Sequence, residues 1–199
     1  MFRSDSVREK LAKLSPEKRL LLEKRISGKS IPEKSSEIIL PRSETGPVPL
    51  SFGQQRLWFL DQLEENRTVY NEVGGLNITG PLKVTVLEQC LTEIIRRHEI
   101  LRTTFPTKDE VPVQDIAPPQ AVTIKLINLQ SLSEKEAWEE LQRLTIEEKQ
   151  KPFDLVKGPL LRINLLRLPD VRTEQGIQVP NYIFLLTVHH IIYDGWSME

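Results

Sequence analysis

The residues best suited to chemistry lie together in His189-His190-Ile191-Ile192-Tyr193-Asp194-Gly195-Trp196, a segment with two imidazoles and a carboxylate. A neutral imidazole takes a proton from an incoming nucleophile, or hydrogen-bonds a polar transition state, because its pKa lies near neutrality and is readily tuned. Asp194 follows closely enough to turn back toward the histidines, and Gly195 is expected to supply the backbone freedom such a turn needs. The preceding residues are apolar and β-branched, and along a strand successive side chains point to opposite faces. His190 then shares a face with Phe184, Leu186 and Val188, and His189 points the other way with Leu185 and Thr187. Only one of the pair can face a given cleft. The same alternation turns the imidazoles apart, which disfavours metal ligation by the pair with Asp194, so no metal is expected. The plain structural reading of the pair is one satisfied core histidine and one exposed histidine.

Other chemistries find less support. Cys90, the single cysteine, sits beside Leu87 and Leu91 in a helical pattern and reads as a small core residue. No Gly-x-Ser-x-Gly elbow, phosphate-binding loop or dinucleotide glycine pattern occurs.

The elements that position the histidines follow from periodicity and capping. Ser51 with Gln54 has capping-box spacing and opens a helix through Leu57, Trp58 and Leu60, whose apolar residues are expected to be core and whose Arg56 is expected to be a surface or bridging charge. Tyr70 to Thr79 reads as a strand ended by Gly80-Pro81. Leu87, Leu91, Ile94, Ile95, His98 and Leu101 then recur at helical spacing. Strands are predicted near Val111–Ile116 and Val122–Ile127, and Ser133 with Glu136 opens a helix through Trp138, Leu141 and Leu144. Two final strands, Leu160 to Leu168 and Tyr182 to His190, flank a polar loop from Pro169 to Pro180. Helices mixed with strands predict an α/β fold, an α+β sandwich.

The chain has 199 residues, 27 basic and 28 acidic, for a formal charge of −1. That balance argues against a nucleic-acid surface, which needs a dense cationic face. No apolar run approaches the roughly 20 residues of a membrane span, and no secretory signal is visible, so neither nucleic acid nor membrane is an expected partner and the expected compartment is the cytoplasm. Residues 1–46 hold 11 basic and 7 acidic side chains, unlike the acidic remainder. We read 1–28 as a helical leader, with Ser15 as N-cap and Leu20, Leu21, Leu22 and Ile26 as its apolar stripe, 29–49 as a linker rich in Ser, Pro, Lys and Glu, and 50–199 as the domain proper. The leader reads either as a solvated arm or as a docking element for another chain.

The terminal segment strongly resembles the His-His-x-x-x-Asp-Gly signature of condensation domains in nonribosomal peptide synthetases. Three further stretches agree in order and spacing: Ser51-Phe52-Gly53-Gln54-Gln55-Arg56-Leu57-Trp58-Phe59-Leu60, Arg97-His98-Glu99-Ile100-Leu101-Arg102-Thr103-Thr104-Phe105, and Pro152-Phe153-Asp154-Leu155 with Gly158-Pro159-Leu160. The resemblance covers residues 50–199 and implies a chloramphenicol-acetyltransferase-like fold of which this is the amino-terminal lobe. It implies amide formation between a donor thioester and an amine acceptor, each carried on the phosphopantetheine arm of a carrier protein, with no cofactor bound directly. His190 would be the active-site histidine, as base or as a positioning group. His189 would be structural, Gly195 would offer a backbone N–H, and Trp196 would support the site. Asp194 would pair with an arginine of the second motif. Arg97 and Arg102 are candidates, and on one continuous helix they lie about 140° apart, so both reaching the same carboxylate is not expected. A buried pair of that kind would cost roughly 3–5 kcal/mol on loss of the aspartate.

The resemblance further implies a carboxy-terminal lobe and an adenylation domain beyond Glu199, an apolar patch near His190 where that lobe would sit, an inactive chain when alone, and a possible upstream subunit docking through residues 1–46. Competing readings are a non-catalytic orphan lobe or docking module, and a coenzyme-A-dependent acyltransferase sharing His-x-x-x-Asp. Heterocyclisation relatives carry Asp where His189 stands, which disfavours that branch.

Overall fold

Ser51 and Ser133 each begin a helix, as their spacing predicts. In the computed structural model, which describes residues 48–64 and 66–198, Ser51 accepts from the Gln54 N–H and the Gln54 side chain accepts from the Ser51 N–H, so two orphan donors are satisfied reciprocally at the start of α1 (Phe52–Leu63). Ser133 and Glu136 repeat the arrangement at the start of α3 (Glu134–Gln150). Between them, α2 (Val84–Arg97) follows strand β2 (Asn71–Thr79). The predicted continuation of α2 through Leu101 does not hold. His98 adopts extended backbone angles, and a separate 3-10 turn, Glu99–Arg102, keeps the apolar residues near helical spacing without extending the helix.

One sheet has the order β2-β8-β7-β6, with β6 (Lys125–Asn128), β7 (Leu161–Arg172) and β8 (Gln178–His189). All neighbours are antiparallel except β6 beside β7. A second sheet has β5 (Val111–Ile116) at its centre, paired with β1 (Val48–Pro49), β3 (Thr103–Thr104) and β4 (Thr107–Lys108). Because Val48–Pro49 pair with Gln114 and Val113, the fold begins before Leu50 and the linker is shorter than its composition suggested. The leader and the rest of the linker lie outside the described residues. The sheet that begins at β6 also starts later than predicted, since Val122 and Ile124 donate to Thr92 and Glu88 of α2 rather than to a strand.

The last two strands run through the region predicted as a loop. Leu168 pairs with Asn181 and Val171 with Val179, so Pro169 and Asp170 oppose Pro180 alone in a bulge. A bulge tolerates residues that cannot donate to the ladder, which lets both prolines remain inside long strands. The Arg167 guanidinium binds Asp170 and the Asn181 carbonyl and fastens the bulge.

Two apolar clusters hold the layers together. On one face of the main sheet, Leu166, Leu168 and Leu185 pack against Ala137 and Leu141 of α3. The other cluster lies under the end of β8: Phe105, Phe153, Leu155, Leu160, Val188, Ile191 and Ile192, with Leu57 and Trp58 of α1 packed on it. It is assembled from the four stretches that carried the family resemblance. Phe105 is fully buried and its N–H donates to the Leu155 carbonyl, while Trp58 donates to the Phe105 carbonyl. At Gly158 φ is +57° and an added Cβ would lie 2.8 Å from Thr104 Cγ2, so only glycine fits between these stretches. Cys90 does not join either cluster. It is exposed at the edge of the α2 stripe, beside a half-exposed Ile94, which corrects its assignment to the core.

Candidate functional site

β8 is the second strand of the main sheet, between β2 and β7, and its ladder persists to its tip. The His189 N–H donates to the Leu160 carbonyl and the His190 N–H to the Tyr70 carbonyl, so both imidazoles are fixed at their backbones from either side. The predicted alternation then separates them. His189 is wholly buried with Thr187 and Leu185, its ring edge-on to Phe153 at 6.1 Å. Its Nδ1 accepts from the Ile191 N–H at 3.1 Å and so caps the 3-10 turn His190–Ile192 that ends the strand. An accepting Nδ1 requires the neutral ring with its hydrogen on Nε2. Burial, aided by the neighbouring His190, pushes the His189 pKa down to about 4.

His190 is the open one, with 39% of its side chain exposed. Its ring meets Tyr193 edge-on at 6.3 Å. It lines a cleft of about 390 Å³ together with Ser51, Gln54, Leu57, Ile100, Tyr193 and Asp194, and the Gln54 side chain donates to the Ile191 carbonyl across it. Larger clefts lie beside α3, the largest about 990 Å³, but they contain no histidine. The exposed aromatic residues next in sequence to the cleft lining are Phe52 and Trp196, 92% and 82% exposed.

Asp194 departs from expectation. Its carboxylate accepts from the Ser197 N–H at 3.1 Å and the Ser197 hydroxyl at 2.7 Å, which starts the final 3-10 turn, Gly195–Met198. Neither candidate arginine reaches it. Arg97 is held by Glu93 at 2.7 Å one turn back on α2, and Arg102, beyond the helix break, binds the Ala117 carbonyl and Glu99 and lines a different cleft with Thr104 and Leu161. Asp194 and Arg97 are held by local partners and Arg102 by Ala117 and Glu99, its buried Nε left without a hydrogen bond, and no pair between Asp194 and either arginine forms among the described residues. Gly195 is likewise not in the left-handed region and has open space where a Cβ would lie, so this turn does not use its conformational freedom. Asp194→Ala is therefore expected to cost about 1 kcal/mol or less. Urea unfolding followed by tryptophan fluorescence measures this, and a loss of about 3 kcal/mol or more would reinstate a buried arginine partner.

Sequence reasoning passed over Glu72. Its Oε1 lies 4.0 Å from His190 Nδ1, and the signal for it was a lone acid on the strand that pairs with the histidine strand.

The family model described as Condensation domain matches residues 44–199. This chain belongs to the condensation-domain family. It is 40% identical to phosphinothricin tripeptide synthetase PhsC of Streptomyces viridochromogenes over 194 residues, which cover 98% of this chain and 17% of that protein. It is 43% identical to a linear gramicidin synthase of Brevibacillus parabrevis over 82% of this chain and 2% of that one. Among solved structures it resembles the first condensation domain of the calcium-dependent antibiotic synthetase in complex with a substrate analogue, with 27% identity and a TM-score of 0.65 over 77% of this chain and 35% of that one. The starter condensation domain of rhizomide synthetase is similar at 25% identity and the same TM-score, covering 76% and 36%. The chloramphenicol-acetyltransferase-like class expected from the motifs is thus the fold class of this condensation-domain chain, a mixed α/β arrangement. The chain spans less than a fifth of the curated relatives and about a third of the solved condensation-domain chains. Among the described residues no helix is long and apolar enough to cross a membrane, and no cluster of three or more metal-ligating side chains occurs.

Proposed function

We propose that residues 50–199 are the amino-terminal lobe of a nonribosomal peptide synthetase condensation domain that forms an amide from two carrier-bound substrates. The observation that carries the reading is the convergence on one cleft of three separate stretches, Ser51–Leu57, Ile100 and His190–Asp194, with His190 the single partly exposed imidazole among them. The names of the relatives, peptide synthetases and synthases, point the same way.

In this reaction the acceptor amine attacks the donor thioester carbonyl. The C–N bond forms, the C–S bond breaks, and the amine proton passes to His190 Nε2 and on to the departing thiolate. His190 also positions the amine and stabilises developing charge, while the Gly195 N–H is a second candidate donor. His189 holds the turn that presents His190, and Asp194 and Ser197 close the turn after it. The carrier-borne phosphopantetheine arms are substrates here. The partners are donor and acceptor carriers, a carboxy-terminal lobe that supplies the other cleft wall against Phe52 and Trp196, and an adenylation domain that loads the acceptor. The compartment is the cytoplasm, where such carriers are loaded. Residues 1–46 receive an upstream subunit, a role consistent with the match to the phosphinothricin synthetase extending over 98% of the chain.

Joined to a carboxy-terminal lobe and given a panel of acyl- and aminoacyl-loaded carriers, the chain is expected to yield amide product on the acceptor carrier, seen by intact-protein mass spectrometry. By itself it is expected to yield none. Failure of every pairing, or equal product from the isolated chain, rejects the proposal. Deleting residues 1–46 is expected to weaken capture of the upstream subunit and leave amide formation from separately supplied carriers unchanged. Undiminished capture assigns the leader to solvent instead.

A further inference from the structure

The two nitrogens of His190 have different surroundings. Nδ1 is buried and has no hydrogen-bond partner among the described residues, whereas Nε2 is not sealed in this way and makes no intramolecular hydrogen bond. Such a buried polar atom is costly unless an acceptor or donor approaches it. Three of the groups near the ring are already engaged or unsuited. The Asp194 carboxylate is bound to Ser197, Tyr193 presents its ring edge-to-face, and His189 lies on the opposite face of the strand with Nδ1 occupied by Ile191. Glu72 is neither.

The β-ladder places Glu72 there. It pairs with Val188 across β2 and β8, so its side chain is on the same face as Val188 and is the diagonal neighbour of His190, two residues on. Diagonal neighbours in an antiparallel pair are within reach of long side chains. The separation of 4.0 Å is too long for a hydrogen bond, but the Glu72 side chain is 57% exposed and has room to turn. A rotation closing about 1 Å would bring the carboxylate onto the Nδ1 hydrogen. With the hydrogen fixed on Nδ1, the Nε2 lone pair is the free acceptor at the cleft. A carboxylate on the far nitrogen also supports the imidazolium formed when Nε2 takes a proton, since charge-assisted hydrogen bonds are the stronger kind.

We propose that Glu72 is a positioning residue for His190, holding its hydrogen on Nδ1 and leaving Nε2 as the proton acceptor. This rests on the amide-forming role given to His190 above. The test is the imidazole tautomer, read by long-range nitrogen–proton correlation spectra of the full chain at alkaline pH, with His190 assigned through His190→Ala. In the wild type the tautomer with hydrogen on Nδ1 is expected to dominate. Glu72→Ala is expected to shift the ratio toward hydrogen on Nε2 by roughly fivefold, the size of one net hydrogen bond, while Glu72→Gln, which keeps a neutral acceptor, gives a smaller shift in the same direction. Folding is not at stake, because Glu72 is largely exposed and makes no other contact within ion-pair distance among the described residues. Unchanged tautomer ratios in both variants overturn the proposal, as does a wild-type ring with its hydrogen on Nε2. Failure of the carrier assay, by contrast, overturns the transferase reading and leaves the tautomer result standing. In the completed domain Glu72→Ala is expected to lower kcat by about fivefold with the acceptor KM unchanged, because the carboxylate acts through His190 and not on substrate.

Discussion

His190→Ala is expected to slow amide formation in the completed domain by about 10²- to 10⁴-fold, the range that a positioned acid–base group contributes. The effect is expected in kcat more than in KM, since the imidazole acts as the amine loses its proton rather than in holding the carrier. Stability is expected to change little. His190 is partly exposed, and the bond that fixes its backbone is from its N–H to the carbonyl of Tyr70, the residue before β2, which alanine keeps. Assay of the rate alongside urea unfolding separates the two effects. Undiminished transfer removes His190 from the mechanism, and a large loss of stability would recast it as a structural residue.

The other large effect concerns His189 and appears in stability against pH. Its pKa in the folded state is about 4, held down chiefly by burial, against an ordinary value of 6.5. Between those values the unfolded chain binds a proton that the folded chain refuses, so stability rises with pH across this window. The contribution is complete above about pH 6.5 and is lost as pH falls toward 4, amounting to about 3 kcal/mol over that window. His189→Gln keeps a polar group but has nothing to titrate. It is expected to be less stable than the wild type at neutral pH, through an imperfect cap on the Ile191 N–H, and to show a shallower acid loss. Unfolding free energies measured from pH 7 to 4 check this, and parallel curves for the two proteins would show that His189 does not carry the acid sensitivity.

Much of the scaffold was legible from local signals because the residues concerned satisfy their partners within one turn. The capping boxes at Ser51 and Ser133 and the strand Val111–Ile116 appear where their spacing placed them. The errors arise where a local pattern had more than one three-dimensional continuation. Ile100 and Leu101 keep the helical rhythm of α2 but belong to a 3-10 turn after His98. Pro169 and Pro180 read as strand ends, yet a single bulge absorbs both because each lacks the N–H that the irregularity leaves unused. No local pattern around Asp61 signals burial, yet it is buried, with its pKa raised by that burial. Cys90 read as core and is exposed, because it lies about 60° around α2 from Leu87, on the flank of the stripe.

The sequence by itself determined the family, the capped helices and the opposite placement of the two histidines, one buried and one open. Strand alternation is a property of the backbone and needs no knowledge of what packs on either side. Which carboxylate serves the open imidazole was decided only by tertiary structure. Asp194, near in sequence, is taken by Ser197, whereas Glu72, distant in sequence, is delivered to His190 Nδ1 by the pairing register of β2 with β8. That register depends on two strands finding each other across more than a hundred residues of chain, and no local spacing encodes it.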